Sequence, residues 1–432
     1  VSTNTLALLG GTPVIDAPLE PFNKIGVQER DAALEVLDTG VLSGFIGAPG
    51  KEFHGGPKVQ ELEVAWRKKF NVKHAVSTNS ATSGLYAAIG AAGVGPGDEV
   101  IVPPYTMSAT AMAPLVYGAI PVFVDIEAQT YCLDPIQVEA AITPKTKAIF
   151  AVNLFGHPAR LHDLRRIADK HDLILIEDNA QGPLATENGV FAGAIGHIGV
   201  FSLNRHKHIQ AGEGGVCITN DDMLARKLEL IRNHGENLVD HYDMDDITNM
   251  VGFNYRLSEV SAAIGLAQLD KADAIIDERI AYANQLSDLV QGLDGVTAPT
   301  VRPDCRHVYY IWSASFDENA VGVSRDVFVK ALQAEGFPIR GGYLAPLYKL
   351  PIFQKKRAIG NKGFPFNLSQ RSYHGNLCPT CEDVQNNAIM PFVICSYQLS
   401  PERIERLGEI VHKVHAQRDA LRTANPASLG AP

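Results

Sequence analysis

Phe201-Ser-Leu-Asn-Arg-His-Lys-His-Ile-Gln-Ala-Gly-Glu-Gly-Gly215 places one lysine, Lys207, between two short apolar runs. Ile198-Gly-Val-Phe-Ser202 leads into it and Gly215-Val-Cys-Ile-Thr219 follows it. Both runs are rich in β-formers, so the stretch predicts a strand, a lysine, a glycine-rich turn and a second strand. A lysine presented at a strand end can bond covalently to an aldehyde cofactor if its surroundings depress its pKa. The glycines of Gly212-Glu-Gly-Gly215 let backbone approach a bulky ligand without Cβ clashes. Read alone, the same residues also describe a surface lysine beside a tight turn.

The same rhythm extends outward from this stretch. Glu99-Val-Ile-Val-Pro103, Pro121-Val-Phe-Val-Asp125, Ala148-Ile-Phe-Ala-Val-Asn153 and Leu173-Ile-Leu-Ile-Glu177 are further short apolar runs. Helical stretches are expected between them at Ser83–Ala92, Ala109–Tyr117, Pro135–Ala141 and Leu161–His171. Alternation of this kind predicts an α/β fold with a mostly parallel sheet. In such sheets ligands bind beyond the carboxyl ends of the strands, so residues just past those ends are the site candidates. Two segments qualify besides Lys207. Ile176-Glu-Asp-Asn-Ala-Gln181 offers Asp178, a carboxylate able to keep a heterocyclic nitrogen protonated, or simply a loop cap. Ser77-Thr-Asn-Ser-Ala-Thr-Ser-Gly84 sets small hydroxyl residues at a helix start, where backbone N–H groups suit a phosphate.

These segments resemble the DegT/StrS sugar-aminotransferase family of fold-type I pyridoxal-phosphate (PLP) enzymes. Further matching segments, in order, are Gly95-Pro-Gly-Asp-Glu-Val-Ile-Val-Pro103, Tyr117-Gly-Ala-Ile-Pro-Val-Phe-Val-Asp125, Thr143-Pro-Lys-Thr-Lys-Ala148 and Gly252-Phe-Asn-Tyr-Arg256. The resemblance spans roughly Gly26 to His412 and implies a PLP-dependent aminotransferase. It implies that Lys207 is the Schiff-base lysine and that Asp178 pairs with the pyridine nitrogen. Gln181 is implied beside the cofactor's phenolic oxygen, and Thr82, Ser83 and Ser202 as phosphate ligands. Asn254 matches an asparagine that reaches the phosphate from a partner subunit, which implies a homodimer with shared active sites. The implied substrates are a keto-sugar, nucleotide-linked, and a glutamate or glutamine donor. A carbocyclic ketone of the inosose type is the alternative, suggested by Leu8-Leu-Gly-Gly-Thr-Pro13 and Tyr343-Leu-Ala-Pro-Leu-Tyr348. A non-catalytic regulator that keeps the fold is disfavoured by the intact Lys207, Asp178 and Gln181.

The sequence departs from the family pattern in three places. Pro103-Pro-Tyr-Thr-Met107 puts Met107 where an aromatic residue usually covers the ring, with Tyr105 two residues earlier as the competing candidate. Phe45–Gln60 is a glycine-rich insertion, either a flap over the substrate or a surface loop. Lys355-Lys-Arg357 with Lys362 forms a basic cluster that either meets a diphosphate or is solvated surface. Cys378-Pro-Thr-Cys381 is a single CxxC, a weak zinc signal, and no metal is expected.

After Ser258–Val290, which reads as one long helical region, a second unit is expected. It has a strand-like His307–Phe316 and helices at Ser324–Glu335 and Pro401–Leu421, with a frayed Thr423–Pro432. The expected division is an N-terminal segment at 1–55 packing on the small domain, a large PLP-binding α/β domain at 56–295, and a small α+β domain at 296–432. The bulk numbers agree with a globular enzyme. The chain has 432 residues, 46% apolar and 20% charged, with a net charge of −10. An acidic chain does not suit nucleic acid, and no apolar run reaches membrane-spanning length. No signal peptide is read, and the six cysteines suit a reducing cytoplasm.

Overall fold

The computed structural model describes residues 5–423. Its centre is a seven-stranded sheet in the order His74–Thr78, Gly215–Thr219, Ile198–Ser202, Ile174–Asp178, Thr146–Val152, Glu99–Val102, Ile120–Phe123. Neighbours run parallel except at Gly215–Thr219, which is antiparallel to both strands beside it. The strands are buried along nearly their whole length, as continuous apolar runs covered on both faces by helices must be. Gly215 pairs with Thr78 on one side and Ser202 on the other. Two parallel strand ends and the start of the antiparallel strand therefore meet at one edge of the sheet.

Several predicted elements differ in detail. Ser258–Val290 is two helices, Glu259–Asp270 and Ala272–Val290, because Lys271 leaves helical geometry at φ −97° and ψ −2°. The expected strand His307–Phe316 is shorter, Trp312–Phe316. Tyr309 takes a left-handed φ of 49°, and Cys305–Arg306 pairs instead with Thr186–Glu187. His74–Thr78, more polar than the other runs and not read as a strand, enters the sheet through its ladder with Gly215–Thr219.

A second, three-stranded antiparallel sheet is formed by Val296–Thr297, Trp312–Phe316 and Ile389–Phe392. Its apolar cluster joins Leu286, Trp312, Phe328 and Leu407 with Leu6, Ile15 and Leu19 from the amino-terminal segment. Between Leu347 and Ile389 the chain returns to the large sheet, where Tyr348, Phe353, Phe366 and Tyr373 pack into the apolar cluster that surrounds it. Among the described residues no helix is long and apolar enough to cross a membrane.

Candidate active site

A cavity of about 340 Å³ opens at the carboxyl edge of the large sheet. Six of the residues singled out in the sequence line it: Lys207, Asp178, Gln181, Thr82, Ser202 and Met107. The Lys207 loop is fastened to its own base. Leu203 N–H donates to the Gly214 carbonyl at 2.9 Å, Ala211 N–H to Leu203 at 2.8 Å, and Arg205 N–H to Gly212 at 3.0 Å. Gly212 sits at φ 80°, which a residue with a side chain would adopt only under strain. Lys207 Nζ lies 4.6 Å from the centroid of the Tyr310 ring. Burial pushes the Lys207 pKa below the ordinary lysine range, against the pull of the Asp178 carboxylate.

The adjacent carboxylates Glu177 and Asp178 divide their work because successive strand residues face opposite ways. Glu177 accepts from the N–H groups of Gly193 (2.5 Å), Ile195 (2.9 Å) and Gly196 (2.5 Å), so it is the loop cap. Asp178 faces the cavity, where its Oδ2 accepts from Thr110 Oγ1 at 2.7 Å and its Oδ1 from Ala180 N–H at 3.2 Å. Burial pushes its pKa up; Thr110, Ala180 and the positive charge of Lys207 pull it back. Gln181 is held by both ends of its amide: Oε1 accepts from Phe155 N–H at 2.7 Å, and Nε2 donates to Tyr343 Oη at 3.3 Å.

Opposite these groups, the helix Ala81–Ala91 points its amino terminus at the cavity, with Ser80 as its cap. A Cβ on Gly215 would sit 2.7 Å from Ala81 N, so only glycine lets the strand come this close to the helix start. Ser83 does not line the cavity. Its hydroxyl donates to Asn79 Oδ1 at 2.6 Å, and its N–H to Ser80 Oγ at 3.0 Å. Ser80 takes its place on the wall. Asn254 is also outside the cavity, exposed and in an isolated bridge with Asn233.

Met107 is 54% exposed and on the cavity wall, whereas Tyr105 is fully buried behind it. The Tyr105 hydroxyl donates to Gln385 Oε1 at 2.8 Å and accepts from Tyr343 N–H at 3.2 Å. Sequence reasoning missed Thr110 and Tyr310. Thr110 sits inside a predicted helix, and Tyr310 reaches the cavity past the left-handed turn at Tyr309, which no local residue signals.

The remaining features lie elsewhere. The insertion folds back onto the rest of the chain: Phe53 is fully buried, and Asn233 Nδ2 donates to the carbonyls of Ile46 (3.1 Å) and Phe53 (3.0 Å). None of its residues lines the cavity. The basic cluster sits on a turn that packs Phe364 against Gly118 and Leu368 beside Gly97, both just ahead of strands at the sheet's amino edge. None of its four cations lines the cavity. Cys378 and Cys381 are buried free thiols at the start of the helix Pro379–Asp383, whose N–H groups at Thr380 and Cys381 donate to Asp125 at 2.8 and 2.9 Å.

The donor set fits a phosphorylated aromatic aldehyde. A buried carboxylate with ionic capacity to spare faces a lysine of depressed pKa, and a hydroxyl-rich helix amino terminus stands ready for an anion. The comparisons agree. Residues 48–388 match the DegT/DnrJ/EryC1/StrS aminotransferase family. The GDP-perosamine synthase of Caulobacter vibrioides is 37% identical over 326 residues, covering 75% of this chain and 84% of that protein. The L-glutamine:2-deoxy-scyllo-inosose aminotransferase of Streptoalloteichus tenebrarius is 35% identical over 404 residues, covering 89% and 91%. The crystal structure of DesI with its TDP-sugar product superposes with a TM-score of 0.79 at 28% identity, covering 97% of this chain and 98% of that one. The chain therefore belongs to the DegT/DnrJ/EryC1/StrS aminotransferase family and is a PLP-dependent aminotransferase.

Proposed function

We propose that the protein transfers an amino group from glutamate or glutamine to the ketone of a nucleotide-linked sugar. The observation that carries this reading is the single cavity shared by Lys207, Asp178, Gln181 and the start of the helix Ala81–Ala91. PLP, when bound, supplies the electron sink for amino transfer. Lys207 would hold the cofactor through its amine and could move a proton at the substrate carbon. Asp178 would keep the ring nitrogen protonated, and Gln181, fixed by Phe155 and Tyr343, would stand by the phenolic oxygen. Thr82, Ser202 and the helix terminus take the phosphate; Ser83 supports them by shaping the cap. Met107 covers the ring. Asn254 completes the phosphate site of a second subunit, so the working unit is a homodimer.

One observation favours the carbocyclic alternative. Among the described residues Lys207 is the only lysine or arginine lining the cavity, so these residues of one chain offer a substrate diphosphate no other strong cation. A neutral inosose needs none. Supplying purified protein with glutamate or glutamine and a panel of keto-sugar nucleotides and inososes decides between them. Turnover of a nucleotide sugar is the expected result, turnover of inososes alone establishes the alternative, and turnover of neither class removes both readings. A visible spectrum that does not respond to either amino donor would instead point to a regulator.

A further inference from the structure

Lys24, in the amino-terminal segment, is 6% exposed and does not line the cavity. Its ammonium donates a hydrogen bond to the backbone carbonyl of Lys207. Gln268, fully buried, ties the two segments together. Its Nε2 donates to the Lys24 carbonyl at 2.9 Å, and its Oε1 accepts from Gln210 N–H, three residues past Lys207, at 3.1 Å. Arg279 lies on the same shelf: its guanidinium stacks on the Phe22 ring at 4.5 Å, and Lys24 Nζ is 5.6 Å from that ring's centroid. Among the described residues neither cation forms an ion pair with a carboxylate. Arg279 donates only to the Ile394 carbonyl, at 3.4 Å.

A buried ammonium without a counter-ion is costly, and a carbonyl oxygen offsets only part of that cost. We propose that Lys24 is a positioning residue for Lys207: it anchors the Lys207 carbonyl and keeps a positive charge behind the lysine, which eases deprotonation of the reactive amine. The proposal rests on the reading of Lys207 as the cofactor-bearing residue. The other groups around this pair are Asp178 and the Cys395 thiol, which favour a protonated Lys207, His206, His208 and Tyr310, and the ion pair of Lys271 and Glu29, in which Lys271 Nζ also reaches the Lys24 carbonyl at 3.4 Å. His208 is fully buried with both ring nitrogens unpartnered, and burial keeps it neutral. Burial, Arg279 and Lys207 lower the Lys24 pKa to about 8, with Cys395 opposing, so Lys24 still carries its charge at neutral pH. The sign follows: a neighbouring cation disfavours a second one, so removing the Lys24 charge lets Lys207 keep its proton to higher pH.

The test titrates Lys207 in cofactor-free protein, following its acetylation by acetic anhydride against pH by peptide mass spectrometry. The proposal expects a wild-type midpoint below about 8, the range in which Lys24 still carries its charge. Lys24→Gln and Lys24→Met should each raise the midpoint by roughly 0.5–1 unit, and Lys24→Arg should restore the wild-type curve. Coincident midpoints for wild type and a neutral variant folded by circular dichroism overturn the proposal, as does an arginine variant that titrates like the glutamine one. Should both neutral variants fail to fold, a wild-type midpoint above about 8, where Lys24 has already lost its charge, is enough to overturn it. Borohydride fixation of the cofactor separates the two layers. Label on another lysine defeats the reading of Lys207 itself; label on Lys207 with unmoved midpoints defeats only the role of Lys24.

Discussion

Thr110 Oγ1 donates a 2.7 Å hydrogen bond to Asp178 Oδ2 deep beneath the cavity. A bond to the ionised form favours that form, so Thr110 offsets part of the burial that raises the Asp178 pKa. Thr110→Val removes the bond at nearly constant shape. A hydrogen bond to a charged group is worth about 1.5–3 kcal/mol, so PLP affinity should fall by roughly tenfold or more. The sign of the pH effect is fixed too. Without its donor Asp178 takes up a proton at higher pH, so the acid limb of cofactor binding should move upward. Thr110→Ser should stay close to wild type. Fluorescence titration of PLP across a pH series checks both, and an unshifted acid limb in Thr110→Val would deny Thr110 this part.

Met107 and Tyr105 compete in the sequence for the face of the cofactor ring, and their surroundings separate them. A sulfur–aromatic contact is worth about 0.3–1.5 kcal/mol, so Met107→Ala should weaken PLP retention by about two- to tenfold. Tyr105→Phe should leave retention nearly unchanged. It should instead lower stability by about 1 kcal/mol or more, because Gln385 and the Tyr343 N–H both lose the hydroxyl. Dialysis of loaded protein and thermal melts of the same two variants read these effects apart. Faster cofactor loss from Tyr105→Ala than from Met107→Ala would reverse the assignment, since phenylalanine keeps a ring able to cover the cofactor.

The legible parts of the molecule were those set by local rules. Ile198–Ser202 and Gly215–Thr219 form as predicted because an apolar β-rich run bounded by a glycine turn has few alternatives. Lys207, Asp178 and Gln181 converge because strand ends of a parallel sheet share one edge. The parts that were not legible depend on partners distant in sequence. Thr110 meets Asp178 across 68 residues, and Lys24 meets Lys207 across 183. His74–Thr78 is a strand only because Gly215–Thr219 pairs with it. Ser83 reads from its segment as a wall residue, but its hydroxyl turns to Asn79 Oδ1 and Ser80 lines the wall.

Asn254 is exposed beside its own subunit's Asn233 and lines no part of its own cavity. If it serves a second subunit, complementation follows. Lys207→Ala and Asn254→Ala homodimers should each be impaired, whereas a mixed dimer keeps one site with both residues intact. Mixing the two under conditions of subunit exchange should restore activity toward half that of wild type in the heterodimer. Native mass spectrometry confirms exchange. Heterodimers no more active than the better parent would show that Asn254 acts within its own chain or not at all.

The basic cluster gives the sharpest test of what binds a substrate phosphate. Lys355, Arg357 and Lys362 are exposed, and Lys356 is half-buried at a left-handed φ of 47°. The turn that carries them is fastened near the amino edge of the sheet through Phe364 and Leu368, while the cavity opens at the carboxyl edge. Charges so separated and exposed to solvent interact weakly, since salt screens them beyond about 8–10 Å. Changing all four to Ser should therefore leave KM for the keto substrate within about twofold of wild type. Folding stability should change little as well, because surface substitutions of this kind usually cost under about 0.5 kcal/mol each. The half-reaction with the amino donor serves as an internal control, since it involves no sugar nucleotide. A different outcome would carry a specific meaning. A several-fold rise in KM for a nucleotide sugar at low salt, absent with an inosose and erased at high salt, requires these cations near a bound diphosphate. With the turn held away from its own cavity, that contact would have to be made in the cavity of a second subunit.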